Sequence, residues 1–234
     1  MFDTRAGFWL MASVGIVSVL ATAAVILWAP DEAITLETFS TAIGIPLSVV
    51  LPIIAILSIT SEYSQRTGLT TYTLVPWRGR VFASKLIVTL AIGVVSMTLA
   101  LGVGAVGNLL GSAITGLDPV WDIGLETFSY IVLANILSML IGFTLGVLMR
   151  SSAAAIVGYF VYSFVLPVAF GTLAAFQEWF RDLQPWVDVN VGLERLFDQT
   201  MSAEAWQQLG VTTLVWVWIP LALGLRAVLR AEVK

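Results

Sequence analysis

The chain has 234 residues, 59% hydrophobic and 11% charged, with a formal net charge of −4 and a mean hydropathy of +0.95. A soluble domain carries about 25% charged residues, so the deficit marks an integral membrane protein. Cysteine and histidine are both absent, which excludes disulfides, thiolate nucleophiles, and the commonest general base and zinc ligand.

Crossing the hydrocarbon core takes roughly 20 apolar residues in a helix. Six stretches are long enough: 7–29, 39–60, 86–110, 127–149, 153–176 and about 206–225, all without Asp, Glu, Lys or Arg. The first exceeds the roughly 7–15 apolar residues of a secretory signal, so it reads as a retained span. The expected fold is therefore an all-α membrane protein, one transmembrane domain over 1–234 with six spans.

Basic residues set the orientation. With the N-terminus inside, Arg5, Arg66, Arg78, Arg80, Lys85, Arg150, Arg226, Arg230 and Lys234 are cytoplasmic, and only Arg181 and Arg195 are outside. The acids are reversed, with Asp3, Glu62 and Glu232 inside and the other twelve outside. The inner side then carries +6 and the outer side −10. Both termini are expected in the cytoplasm.

The segments between spans differ in character. Residues 61–85 form a polar, cationic interruption on the inner side, whereas 111–126 is a Gly/Asp/Pro turn region around Asp118 and Pro119. The inner turn after the fourth span is reduced to Arg150, Ser151 and Ser152. In the outer segment 177–205, Phe176, Trp179, Phe180 and Leu183 follow helical i, i+3, i+4, i+7 spacing, and Leu193, Leu196 and Phe197 suggest a second short helix. Two readings stay open here: amphipathic helices at the outer interface, or a structured loop with buried aromatics.

Gly102, Gly104 and Gly107 match a dinucleotide fingerprint formally, but they lie inside an apolar helix without a preceding strand. Close helix packing explains them better, as it does Gly107/Gly111 and Gly142/Gly146. The only lysines, Lys85 and Lys234, follow no glycine-rich loop, so this chain has no Walker A sequence. No ionisable residue of the Asp, Glu, Lys, Arg or His type lies within a span, which argues against proton coupling and against a membrane-embedded enzyme. Asn108, Asn135, Ser138, Thr144 and Ser163 are expected to make interhelical hydrogen bonds. Pro46 and Pro52 bend the second span, and Pro167 with Gly171 the fifth. Pro46, Val49, Ile53, Tyr159, Tyr162, Ser163 and Phe170 are candidates for lining a substrate pathway, against packing or lipid contact.

The polar segment 61–85 resembles the corresponding stretch in permease subunits of type-2 ABC exporters. The resemblance rests on Glu62-Tyr63-Ser64-Gln65-Arg66-Thr67, Leu74-Val75-Pro76, Arg78, Arg80 and Lys85, with Leu148 to Ala154 and the helical outer segment also similar. It implies the permease fold of that family and a coupling helix at about 65–75 that docks on a separate ATPase. Glu62, Gln65, Arg66, Thr67, Thr70, Leu74, Pro76 and Arg78 would form the ATPase-coupling site. Family members usually begin with an amphipathic helix at the inner surface; here Asp3-Thr4-Arg5 is similar to its end, so a start upstream of Met1 is expected.

The resemblance further implies two ATPase partners, a second permease subunit (identical or related), and a bacterial plasma membrane as the location. ATP and Mg would be held by the ATPase, with no cofactor, metal or nucleic acid bound by this chain. The apolar spans favour a hydrophobic or amphipathic cargo such as a drug, an antimicrobial peptide or a lipid-like molecule. An ion-coupled secondary transporter, or a non-transporting immunity or scaffold protein, are the alternatives.

Overall fold

The computed structural model describes residues 5–64 and 78–230. The described chain is almost entirely helical. In order come α1 (Arg5–Trp28), a 3-10 turn (Asp31–Ala33), α2 (Leu36–Ser64), α3 (Arg78–Thr115) and α4 (Leu125–Met149). Then follow α5 (Ser152–Phe176), the short α6 (Glu178–Val187) and α7 (Val189–Phe197), and α8 (203–230). Among the described residues, α2, α3, α4, α5 and α8 are long and apolar enough to cross a membrane, and the protein is membrane-embedded. The apolar stretch Ala12–Trp28 of α1 is shorter.

The chain divides into two compact units, residues 1–51 with 91–132, and 52–90 with 133–234. In the first, Phe39 is fully buried and packs with Val25 and Ile34, flanked by Ile26, Ala29 and Ala42. Gly107 lets Thr22 and Phe39 approach: a β-carbon there would stand 2.5 Å from the Thr22 methyl. Gly102 has open space around it. Packing thus uses one end of the glycine pattern and leaves the other idle, as close helix contact predicts and a phosphate cradle does not.

The turn region of the first unit is tied down through one carbonyl. Val120 O accepts from Leu36 N at 3.2 Å and from Asn108 Nδ2 at 2.8 Å, while Glu37 N donates to Asp122 Oδ1 at 2.8 Å. Asn108 therefore satisfies a loop carbonyl. Ser138 also departs from the interhelical expectation, because its hydroxyl donates to Ala134 O in its own helix. A helix carbonyl four residues back is the nearest acceptor for a serine hydroxyl.

In the second unit, Ile54, Ile56, Ile59, Met139, Phe143 and Val147 are almost wholly buried. The small-residue stripe of α4 makes this possible. Gly142 faces the backbone carbonyl of Pro52, and Gly146 faces Ile59. The turn after α4 is as tight as its sequence suggests: Arg150 takes a left-handed conformation (φ 51°) and its N–H bonds Gly146 O. Ser151 then caps α5 by accepting from Ala154 N. The contrast between helices is informative, since 61% of the apolar window of α4 is buried but only 17% of that of α5.

Both short helices expected within 177–205 form, and each residue pattern resolves in its own way. Phe180, Leu193 and Leu196 are buried, while Trp179 is 63% exposed. Phe176, Leu183 and Phe197 are exposed as well, so both helices are amphipathic and Phe180 is the one buried aromatic of the spacing pattern.

Candidate functional site

Helices α5 and α8 each contain one π turn, at Val161–Val165 and Leu214–Trp218. In them Leu166 N–H bonds Val161 O, and Ile219 N–H bonds Leu214 O, a step of five residues. Proline explains both. Pro167 and Pro220 offer no N–H to the carbonyls four residues earlier, Ser163 and Trp216, which are the central residues of the two turns. The ladder therefore widens just before each proline.

The two turns meet through their aromatic side chains. The rings of Tyr162 and Trp216 are 5.7 Å apart, and Tyr159 stacks at a tilt on Tyr162 at 5.8 Å. The Trp216 indole N–H donates to Val187 O at 2.7 Å, which joins the turn in α8 to the end of α6. The next residue, Asp188, is a buried carboxylate that accepts from Asn190 N (3.0 Å), Asn190 Nδ2 (3.1 Å) and Gln184 Nε2 (3.2 Å). Three donors compensate its burial, and it caps α7. The Tyr162 hydroxyl is different. It is buried and has no hydrogen-bond partner among the described residues. Buried polar groups are nearly always paired, and Ser163 Oγ in the same π turn lacks a partner as well, so two unsatisfied groups sit side by side there.

The remaining pathway candidates are distributed as follows. Pro46, Val49 and Ile53 lie half-buried along α2, the first two in the first unit and Ile53 in the second. Ser163 and Phe170 are half-buried on α5. Phe170 turns to Phe180 of α6, with ring centres 5.6 Å apart, so it does not join the Tyr159–Tyr162 pair. Trp216 and Asp188 were absent from the sequence-based set. Pro220 was the available signal for Trp216, by the same reasoning that drew attention to Pro167.

Of the coupling candidates, Gln65, Arg66, Thr67, Thr70, Leu74 and Pro76 lie outside the described residues, and Glu62 and Arg78 are described as helical backbone only. The helix ends flanking them are tied together. Lys85 Nζ donates to Ser58 O at 2.9 Å, and the Ser58 and Thr89 hydroxyls pair at 3.0 Å. Thr60 pairs with Ser152 at 2.7 Å, extending the tie from α2 to the start of α5.

Tyr162→Phe is expected to leave the unfolding temperature unchanged or raise it slightly. The substitution deletes an unsatisfied hydroxyl, whose burial costs about 1–3 kcal/mol. A clear loss of stability, read by thermal unfolding in detergent, would contradict the unpaired state.

No protein-family model matches the chain, and no curated protein matches it.

Proposed function

We propose that the chain is the permease subunit of an ATP-driven type-2 ABC exporter in a bacterial plasma membrane. In this reading α1 is a sixth span, both termini are cytoplasmic, and the cargo is hydrophobic or amphipathic. A second permease completes the pathway, and two ATPase subunits supply the energy.

The observation that carries the reading is the tie between α2 and α3. The sequence between them has the coupling-segment pattern, and the Lys85–Ser58 and Ser58–Thr89 bonds hold the two helix ends together. A segment mounted on a clamped pair passes a push from a soluble motor into both spans, where a segment on independent helices would only flex. The same hydrogen bonds extend to α5 through Thr60 and Ser152. The absence of Asp, Glu, Lys and Arg from the predicted spans supports an external source of energy. The inner excess of basic residues supports the orientation.

The test is co-expression with a candidate ABC ATPase from the same genome. Glu62→Ala, and separately a double change of Leu74 and Pro76 to alanine, are expected to keep the protein in the membrane but to uncouple ATP hydrolysis from transport. Wild-type ATPase association and transport in both variants would refute the coupling role. Transport by the chain alone, abolished by an ionophore, would replace it with ion coupling.

A further inference from the structure

Between 151 and 225 the chain has two basic residues, Arg181 and Arg195, and both line the same cleft. Three helices form it: Arg181, Asp182 and Pro185 come from α6, Arg195 from α7, and Glu204 and Gln208 from α8, with Thr200 and Ser202 in the turn between α7 and α8. The walls are held by packing, since Gly192 of α7 faces Leu209 of α8 so closely that a β-carbon would lie 2.8 Å from its methyl. The cleft volume, about 580 Å³, falls in the range of small-ligand sites, about 300–1,000 Å³.

The polar side chains are positioned. Arg195 Nη1 donates to Gln208 Oε1 at 2.6 Å, and Gln208 Nε2 donates to Glu204 Oε1 at 3.0 Å. Gln208 is only 6% exposed, so this relay is anchored in the protein interior. Arg181 Nε donates to Ala174 O at 3.1 Å, which fixes the guanidinium plane and leaves its two terminal nitrogens for another acceptor. Neither guanidinium is ion-paired among the described residues. The Asp182 carboxylate likewise carries no hydrogen bond or ion pair there.

We propose that this cleft binds a zwitterionic phosphate ester, with the phosphate on Arg181 and Arg195 and the ammonium on Asp182. Guanidinium forks match phosphate oxygens in geometry and charge. A simple anion fits less well, because two carboxylates line the cleft beside the two arginines and cancel their field. A ligand bearing both signs satisfies the arginines and Asp182 together. Glu204 is already engaged by Gln208 and lies in the first turn of α8, where a carboxylate complements the helix dipole. The chemistry is shared by a free phosphoethanolamine-type solute and by a phosphatidylethanolamine headgroup. The proposal is independent of ATP coupling, because binding is read on this chain alone.

The experiment uses the purified full chain in two arms. In maltoside micelles, phosphoethanolamine, inorganic phosphate and ethanolamine are titrated by calorimetry. In the second arm, retention of phosphatidylethanolamine against phosphatidylglycerol is measured by native mass spectrometry. The zwitterion is expected to bind at least about tenfold more tightly than its anionic counterpart, the factor that one lost ion pair of roughly 1.4 kcal/mol gives. Arg181→Gln should weaken binding about tenfold, Arg181→Lys should retain most of it, and Asp182→Asn should erase the preference for the zwitterion. The lysine variant loses the same bond to Ala174 O, so it separates charge from folding. Binding in the first arm alone identifies a solute, and in the second alone a lipid; either supports the site. Equal affinity for phosphoethanolamine and phosphate, silence in both arms, or an Arg181→Gln protein that binds normally would overturn it.

Discussion

Gly142→Ala is expected to destabilise the protein by about 1–3 kcal/mol, the usual cost of forcing extra volume into a packed interior. The added carbon would sit 2.7 Å from Pro52 O and 3.1 Å from Pro52 Cβ. The first of these is a backbone atom inside α2, so no rotamer change relieves it; one helix has to move. Substituting Pro52 would not help, since the carbonyl stays. Gly146 differs, because its nearest neighbour is the Ile59 side chain, and Gly146→Ala should be partly rescued by Ile59→Ala. Gly102→Ala is the control, having nothing within 4 Å of the new carbon. Thermal unfolding in detergent checks the series: Gly142→Ala should fall by several degrees at about 2–4 °C per kcal/mol, and Gly102→Ala should not. Equal losses at the two positions would show that the Pro52 contact does not set the cost, since helix propensity by itself favours alanine over glycine.

Asp188→Ala should cost about 2–4 kcal/mol. Loss of an N-cap accounts for about 1 kcal/mol, and stranding buried donors adds about 1–3 kcal/mol. Asn190 N, Asn190 Nδ2 and Gln184 Nε2 all depend on this one carboxylate. Asp188→Asn keeps an oxygen for the cap and should lose roughly half as much. Limited proteolysis offers a local readout, because α7 starts at the next residue and Trp216 is held by the carbonyl just before it. Faster cleavage between 188 and 202 in the alanine variant, with the asparagine variant intermediate, is the expected order. Unchanged protection would mean that packing of Leu193 and Leu196 alone holds α7.

The long helices could be read from the sequence because a bilayer imposes one simple demand. Some 20 uncharged apolar residues announce a span regardless of what it packs against, and 127–149 and 153–176 fall within a residue or two of the observed α4 and α5. The ends of α3 were underestimated, since the observed helix runs from Arg78 through Lys85 on one side and to Thr115 on the other. Hydropathy marks where hydrocarbon begins, and helix hydrogen bonding continues past it. Helix spacing indicated the two short helices for the same local reason, without telling which of their apolar residues would be buried.

What stayed hidden depends on contacts between distant parts of the chain. Nothing in 177–205 distinguishes Asp188 from Asp182 or Asp198, yet only Asp188 is both buried and capping. Tyr162 was noticed as part of a mixed face, but its partner Trp216 lies 54 positions later in a span that gave no polar cue. Arg181 and Arg195 were counted as exceptions to a charge rule; their common cleft appears only once α6, α7 and α8 are packed.

The paired π turns have an evolutionary consequence. A π turn holds one residue more than the α-helical turn it replaces, and one residue is about 100° of helix rotation. Deleting a single position near 161–165 would therefore restore an ordinary helix and leave the faces on both sides aligned with their neighbours. The same holds near 214–218. Distant relatives that lack Pro167 or Pro220 should align with this chain only through a one-residue gap at those places. Such a gap, usually taken as a sign of a loop, would here mark the middle of a span.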